Sequence, residues 1–140
     1  MNDTDIAYIA GLFDGEGYVS YTQYMQKRKG RKKAYPFWQI RLEISMTEKS
    51  ILVWLCEVLG VGTVTPKRYK TKYSSHWKKQ WRWRCCHRDA FKVCCLIFPY
   101  THVKLDKIQK IIKHYSDRKL KIIDNNIVSL DEYKQLMSLE

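Results

Sequence analysis

The sequence predicts an α+β domain whose antiparallel sheet carries its helices on one face and leaves the other face open. Three observations predict it: the element order reads α-β-β-α-β-β-α, each pair of strands follows an apolar helix stopped by glycine, and the strands alternate apolar with polar residues. At 140 residues, with 45% hydrophobic and 14% aromatic content, the chain suits one compact domain over 1–140, and no segment has the composition of a linker.

Thr4 is the expected cap of a first helix whose apolar positions Ile6, Ile9, Ala10 and Phe13 recur at helical spacing, with Gly15-Glu16-Gly17 ending it. Residues 18–26 then form a strand, 27–33 a basic turn, and 35–45 a second strand. In that second strand Trp38, Ile40, Leu42 and Ile44 share one face, and Phe37, Gln39, Arg41 and Glu43 share the other. Thr47 is the expected cap of a second helix with Ile51, Leu52, Leu55, Val58 and Leu59 on its stripe, stopped by Gly60 and Gly62. Residues 63–69 and 80–87 make a second hairpin, in which Pro66 marks an edge or a bulge. Asp89 should cap a short helix that ends before Pro99, and 103–115 forms another with Ile108, Ile111, Ile112 and Tyr115 on one face. Residues 118–128 are polar enough for a loop, and Ser129-x-x-Glu132 is a capping box for a last helix carrying Leu130, Tyr133, Leu136 and Met137.

Charge narrows the class of partner. Twenty-six Lys and Arg against 14 Asp and Glu leave +12, with a pI near 9.5, so a polyanion, nucleic acid first, is the expected partner. No apolar run approaches the roughly 18–20 residues that span a bilayer, so no membrane role is expected. The start Met1-Asn2-Asp3-Thr4-Asp5 lacks the basic and apolar regions of a secretion signal, which suggests an intracellular protein, cytoplasmic by default, with an organelle equally open. The five cysteines, Cys56, Cys85, Cys86, Cys94 and Cys95, match neither a disulfide framework nor zinc spacing and read as small apolar thiols in a reducing compartment.

The basic residues gather on the hairpins. Six of the seven positions 27–33 are basic, and 67–84 holds Lys67, Arg68, Lys70, Lys72, Lys78, Lys79, Arg82 and Arg84 with no acid. Such runs are often solvated loops or import signals. Arg82 and Arg84, however, alternate with Trp81 and Trp83, which aims their guanidinium groups off the open face, where a β-ribbon can enter a major groove and read base edges.

Two carboxylates interrupt this basic chain at Asp14-Gly15-Glu16-Gly17. They suit a helix terminus and turn, or else a site where a cation bridges carboxylate and phosphate. Mg2+ takes such oxygen ligands, which points to metal-assisted phosphodiester hydrolysis.

The stretch Ile9-Ala10-Gly11-Leu12-Phe13-Asp14-Gly15-Glu16-Gly17 resembles the LAGLIDADG motif of the homing endonucleases, and α-β-β-α-β-β-α with a saddle-like sheet is that family's fold. The resemblance implies that Glu16, in place of the motif's usual Asp, is the catalytic metal ligand, with the Gly15 carbonyl as a second. It implies Mg2+ as cofactor, with Mn2+ or Ca2+ able to occupy the site. Only one motif copy is present, since 51–62 offers no acid-Gly pair, so the resemblance implies a homodimer acting on a long pseudo-palindromic duplex. The small residues Ala7, Ala10 and Gly11, together with Asp14, would form the dimer interface. Pro99-Tyr100-Thr101-His102-Val103-Lys104 resembles the family's segment before its late helix, which makes Lys104 the candidate catalytic lysine. A polar residue that the family often places at the start of its second helix falls near Met46, which cannot serve, leaving Thr47 or Glu48 as substitutes.

Phasing the strands by their apolar side chains gives the expected DNA-contacting set. It comprises Ser20, Thr22, Tyr24 and Gln26, then Lys27 and Arg28 in the turn, Phe37, Gln39, Arg41 and Glu43, then Thr65, Lys67 and Tyr69, and finally Arg82 and Arg84. Arginine suits guanine and glutamine suits adenine, while loop lysines hold phosphates. The expected function is site-specific cleavage of double-stranded DNA, with no small-molecule substrate. The alternatives are a transcription factor or RNA-splicing maturase of the same fold that binds without cutting, and an RNA-binding module that stacks bases on its ten tyrosines and five tryptophans. No Gly-x4-Gly-Lys loop, His-Glu-x-x-His pair or Gly-x-Ser-x-Gly elbow occurs, and His76, His87, His102 and His114 are scattered.

Overall fold

A computed structural model describes residues 2–68 and 78–123. The elements are α1 (Asp3–Glu16), β1 (Gly17–Gln26), β2 (Tyr35–Met46), α2 (Lys49–Leu59), β3 (Thr63–Pro66), β4 (Trp81–Cys86), α3 (His87–Ile97) and α4 (Leu105–Ile123). The four strands form one antiparallel sheet in the order β1-β2-β4-β3, so β3, the strand with Pro66, lies at an edge as proline requires. Arg41 to Met46 of β2 pair with Cys86 to Trp81 of β4, which joins the two hairpins through their second strands.

The alternation along the strands decides which face is buried. Val19, Ile40, Leu42, Ile44, Trp83 and Cys85 point into the core, where they meet Ile9, Ala10 and Phe13 of α1, Leu52 and Leu55 of α2, Phe91, Val93, Cys94 and Ile97 of α3, and Ile108, Ile111 and Ile112 of α4. Helix α3 packs against α1, α4 and β2, and α4 packs against β1. Burial pushes the Cys85 and Cys94 thiols well above the usual cysteine range, so both behave as inert apolar side chains.

Helix α1 passes into β1 without a loop. Gly17 makes this possible: a Cβ there would lie 2.6 Å from both the Phe13 ring and the Phe13 carbonyl oxygen. A second constraint sits at Gly62, with φ near +90°, where a Cβ would lie 2.4 Å from Trp83 Nε1. That indole is fully buried, meets Phe13 edge-to-face at 5.8 Å and donates to the Val61 carbonyl at 3.1 Å, so helix, strand and loop share one anchor.

Several boundaries differ from the sequence-based expectations. Asn2, not Thr4, caps α1, its Oδ1 accepting from the Asp5 amide at 2.8 Å; Asn is at least as good a cap and starts the helix earlier. Helix α2 has Glu48 at its cap position, with Thr47 outside it and no side-chain cap bond; the Glu48 carboxylate accepts instead from the Ser50 hydroxyl at 2.7 Å. Strand β3 ends at Pro66, not at 69, and α3 starts at His87, directly after β4, placing Asp89 in its first turn rather than at its cap. Helix α4 runs on to Ile123 through the start of the expected loop, because Arg118-Lys119-Leu120-Lys121 contains good helix formers and no breaker, and polarity alone does not end a helix. The expected last helix after Ser129 lies outside the described residues.

Gly62→Ala combines left-handed strain of about 1–2 kcal/mol with overpacking of about 1–3 kcal/mol. It should lower the urea-unfolding free energy by roughly the sum and weaken the near-ultraviolet signal of Trp83; an unchanged midpoint would contradict the packing described.

Candidate nucleic-acid interface and catalytic corner

The outward face of the sheet is read off the pairing. Tyr18 lies opposite Glu43, Ser20 opposite Arg41, Thr22 opposite Gln39, Tyr24 opposite Phe37 and Gln26 opposite Tyr35. Glu43 is also opposite Arg84, which is opposite Thr63, and Arg82 is flanked by Ser45 and Thr65. These partners share a face because directly paired residues of antiparallel strands point the same way. Thr22, Tyr24, Gln26, Phe37 and Thr65 are exposed there, and Gln39, Lys67, Arg82 and Arg84 are half-buried. Lys27 and Arg28 lie in the exposed turn. Ser20 is a correction: it is only 4% exposed, beside Arg41 and close to the α1 junction, so it is not available to a base edge. Tyr69 falls outside the described residues.

The polar side chains on this face are tied to one another. Glu43, its side chain only 14% exposed, accepts from Arg84 Nε and Nη2, both at 2.6 Å, and lies 2.9 Å from Arg41 Nε. The Arg41 contact is a charge contact only, since Arg41 Nε is not aligned for a hydrogen bond. The sequence suggested three independent base contacts; the structure makes Glu43 the support that orients two arginines. Tyr24 donates to Gln39 Oε1 at 3.1 Å, Tyr35 donates to Gln26 Oε1 at 2.9 Å, and Arg28 Nε donates to the Tyr35 oxygen at 3.2 Å while its guanidinium lies over that ring. At the other end, Lys49 and Lys79 flank the Trp81 ring at 4.2 and 4.6 Å, holding two cations beside β4.

The two acids of the glycine-rich turn have different surroundings. Asp14 is half-buried, and its carboxylate accepts from three backbone amides: His102 at 2.9 Å, Val103 at 3.1 Å and Lys104 at 3.3 Å. It therefore caps the entry to α4 from another helix, through residues 88 to 90 positions away that no local window of sequence contains. Asp14 was expected at a dimer interface; its carboxylate is instead taken up within the chain. Glu16, two residues on, is exposed, with no hydrogen bond or ion pair to any described residue. Gly17 N–H donates to the Phe13 carbonyl, so Gly15 and Glu16 sit at the negative end of α1, which favours a cation.

Asp14 brings half-buried Lys104 to this corner. Lys107 joins it, its ammonium 3.4 Å from the Val19 carbonyl and over the Tyr18 ring. Lys107 was not anticipated, although its position three residues past Lys104 was a usable signal. Met46 pairs with Trp81 in the sheet, and Thr47 and Glu48 both lie exposed before α2. Among the described residues no three His, Cys, Asp or Glu gather around a common point.

On the outer side of α1, Gly11 is exposed with open space where a Cβ would go, and Ala7 is half-buried. Ala10 is a correction: it is fully buried in the chain's own core and cannot meet a partner helix.

An open, basic antiparallel sheet with helices behind it and an acid at the end of the first helix defines a recognisable architecture. No family model matches the chain. Solved structures do. The homing endonuclease I-CvuI, in complex with a DNA target in the presence of Mg, matches with a TM-score of 0.62 at 18% identity, over 79% of this chain and 66% of that one. A second structure of I-CvuI, with its target in the presence of Ca, matches with a TM-score of 0.60 at 16% identity over 95% of this chain and 91% of that one. The archaeal intron-encoded homing endonuclease I-Vdi141I, complexed with DNA, matches with a TM-score of 0.60 at 15% identity, over 79% of this chain and 66% of that one. The chain thus spans just under two thirds of the chains in two of these three matches. It has the fold of the LAGLIDADG homing endonucleases.

Asp14→Ala should cost roughly 1–3 kcal/mol through the lost cap, and Asp14→Asn, which keeps one acceptor oxygen, should recover part of it. Urea titration of both variants checks this; equal midpoints for Ala and wild type would mean that the three amide bonds carry no stability.

Proposed function

We propose that this chain is the subunit of a homodimeric, divalent-metal-dependent endonuclease that cuts double-stranded DNA at a long, pseudo-palindromic site. One observation carries the reading: beside an open basic sheet face, one motif acid is bound up holding the lysine segment while the other, Glu16, is exposed and without a partner among the described residues. A lone carboxylate at the edge of a phosphate-binding surface is repulsive unless a cation lies between them. The fold's neighbours are homing endonucleases in complex with DNA, two of them with Mg or Ca present, which supports the same reading.

Each part has a physical task. The lysines and arginines of the 27–33 turn bind phosphates and set register, and the outward residues of β1, β2 and β4 meet base edges in the major groove. Glu16 and the Gly15 carbonyl hold the divalent cation, whose contribution when bound is Lewis-acid activation at the scissile phosphate. Lys104, fixed through its backbone by Asp14, places an ammonium where negative charge develops on the phosphate, and Lys107 adds to that potential. Gly11 and Ala7 let α1 approach its twin across a two-fold axis, so each subunit contributes one Glu16 and each cuts one strand.

The test is incubation of purified protein with a randomised pool of long duplexes and Mg2+, followed by sequencing of cut ends. Cutting at an offset pseudo-palindrome, abolished by EDTA and reduced at least about 100-fold by Glu16→Gln since the cation is worth several kcal/mol, is the expected outcome. Tight binding to a selected site with no metal-dependent cutting would instead establish a binding protein of the same fold. Gly11→Leu tests the dimer separately. Open space at Gly11 means the single chain tolerates the side chain, so circular dichroism should be unchanged while sedimentation equilibrium shows monomers and double-strand cutting is lost; a dimeric, active Gly11→Leu would place the interface elsewhere.

A further inference from the structure

We infer that this chain selects guanine, and rejects adenine and cytosine, at the base pairs beneath Gln26 and Gln39 of the β1–β2 hairpin, because tyrosine hydroxyls hold the two amide oxygens and leave the amide nitrogens as the groups each glutamine offers. The inference rests on the proposed reading of this face as the one that meets DNA.

The acceptors can be followed one at a time. Glu43 Oε1 faces both Arg84 and Arg41. Gln39 Oε1 accepts from the Tyr24 hydroxyl, and Gln26 Oε1 accepts from the Tyr35 hydroxyl. At Gln26 the chemistry supports the amide's orientation. Arginine can only donate, so the Tyr35 oxygen accepts from Arg28 Nε, and its single proton then needs an acceptor, which among its neighbours is the glutamine carbonyl oxygen. The Gln26 amide nitrogen is left as the donor of that side chain, beside the Arg28 guanidinium. At Gln39 the Tyr24 hydroxyl likewise holds the amide oxygen, which leaves the NH2 as the group the side chain offers.

Base edges respond to this in opposite ways. Guanine presents N7 and O6, two acceptors that match a row of donors. Adenine presents N7 beside the N6 amino group, and cytosine presents an amino group; each of these donors would face donors. The familiar glutamine–adenine pair uses the amide oxygen and nitrogen together, and here a phenol rather than the base sets the direction of that oxygen. Adenine, the partner expected for Gln26 and Gln39 from residue type alone, is therefore disfavoured. Tyr35 and Tyr24 become specificity-determining positioning residues that act through Gln26 and Gln39.

The experiment uses Glu16→Gln protein, which is expected to bind without cutting, to select sites from a randomised duplex pool and then to measure affinity for each single-base replacement. Guanine should be enriched beneath the hairpin in both half-sites, and guanine-to-adenine replacement there should weaken binding on the order of tenfold. Adding Tyr35→Phe, a conservative change at an accessible position, frees the Gln26 amide and should bring the guanine-to-adenine ratio at one position to within about threefold. Tyr24→Phe should do the same at a second position, and neither variant should alter preferences at positions served by Arg82 or Arg84. A merely structural role for either tyrosine would shift affinity for all sequences alike. Selection of adenine or cytosine beneath the hairpin, or ratios unmoved in both variants, overturns the inference while leaving the endonuclease reading intact. Failure to select any sequence overturns both.

Discussion

The one-sided burial of the sheet is the constraint on which the remaining features depend. Side chains along a strand alternate between faces, so placing Ile40, Leu42, Ile44 and Trp83 in contact with four helices necessarily turns Gln39, Arg41, Glu43, Arg82 and Arg84 the other way. A sheet covered on both faces would have no room for a duplex, and an unalternated strand would leave arginine in the core. The packing of the core and the composition of the open face are settled together, by one periodicity. Trp83 fixes its phase, because an indole this large, locked to Phe13 and to the Val61 carbonyl, has only one face on which it can be buried.

That periodicity is why much of the fold was legible before any coordinates. The helix stripes of Leu52, Leu55, Ile108, Ile111 and Ile112 and the alternation of β2 and β4 are local signals with a physical basis, and they placed the core side chains correctly. Helix ends were less legible, because Asn2 and Thr4 are both competent caps and only the chain's course decides between them. The extension of α4 to Ile123 was missed because a polar stretch reads as a loop when nothing local says what it packs against. At the site, the candidates were visible as residue types on a known parity, yet their partnerships were not. Ser20 and Ala10 have the right parity and size for their expected roles, and their burial in this chain is a tertiary fact. The bond from Asp14 to the amides before α4, and the clasp of Glu43 on Arg84, join residues far apart in sequence, and no window of residues contains them.

The two acids of the turn illustrate how neighbours of the same chemical type take different work. Asp14 faces inward at the last turn of α1 and finds three amides; Glu16 is two positions further round the helix and faces out. The longer glutamate side chain at the outward position leaves the carboxylate more reach than aspartate has. The inward aspartate, with its short stem, suits a fixed cap. A carboxylate that caps and a carboxylate left exposed lie within one helical turn.

The direct passage of α1 into β1 has a mechanical meaning. With no loop between Glu16 and Gly17, helix and strand turn as one lever, and a tilt of the helix moves the hairpin tip, ten residues out along β1, by a correspondingly larger arc. The same stiffness makes the junction intolerant of length change. One residue added there would either rotate every side chain of β1 to the opposite face, exposing Val19 and Tyr21 and burying Thr22 and Tyr24, or force a bulge into the pairing with β2. The outward residues of the hairpin and the length of its tip can therefore vary without disturbing the core, but the joint at Gly17 can neither gain nor lose a residue without the sheet changing what it shows to the outside.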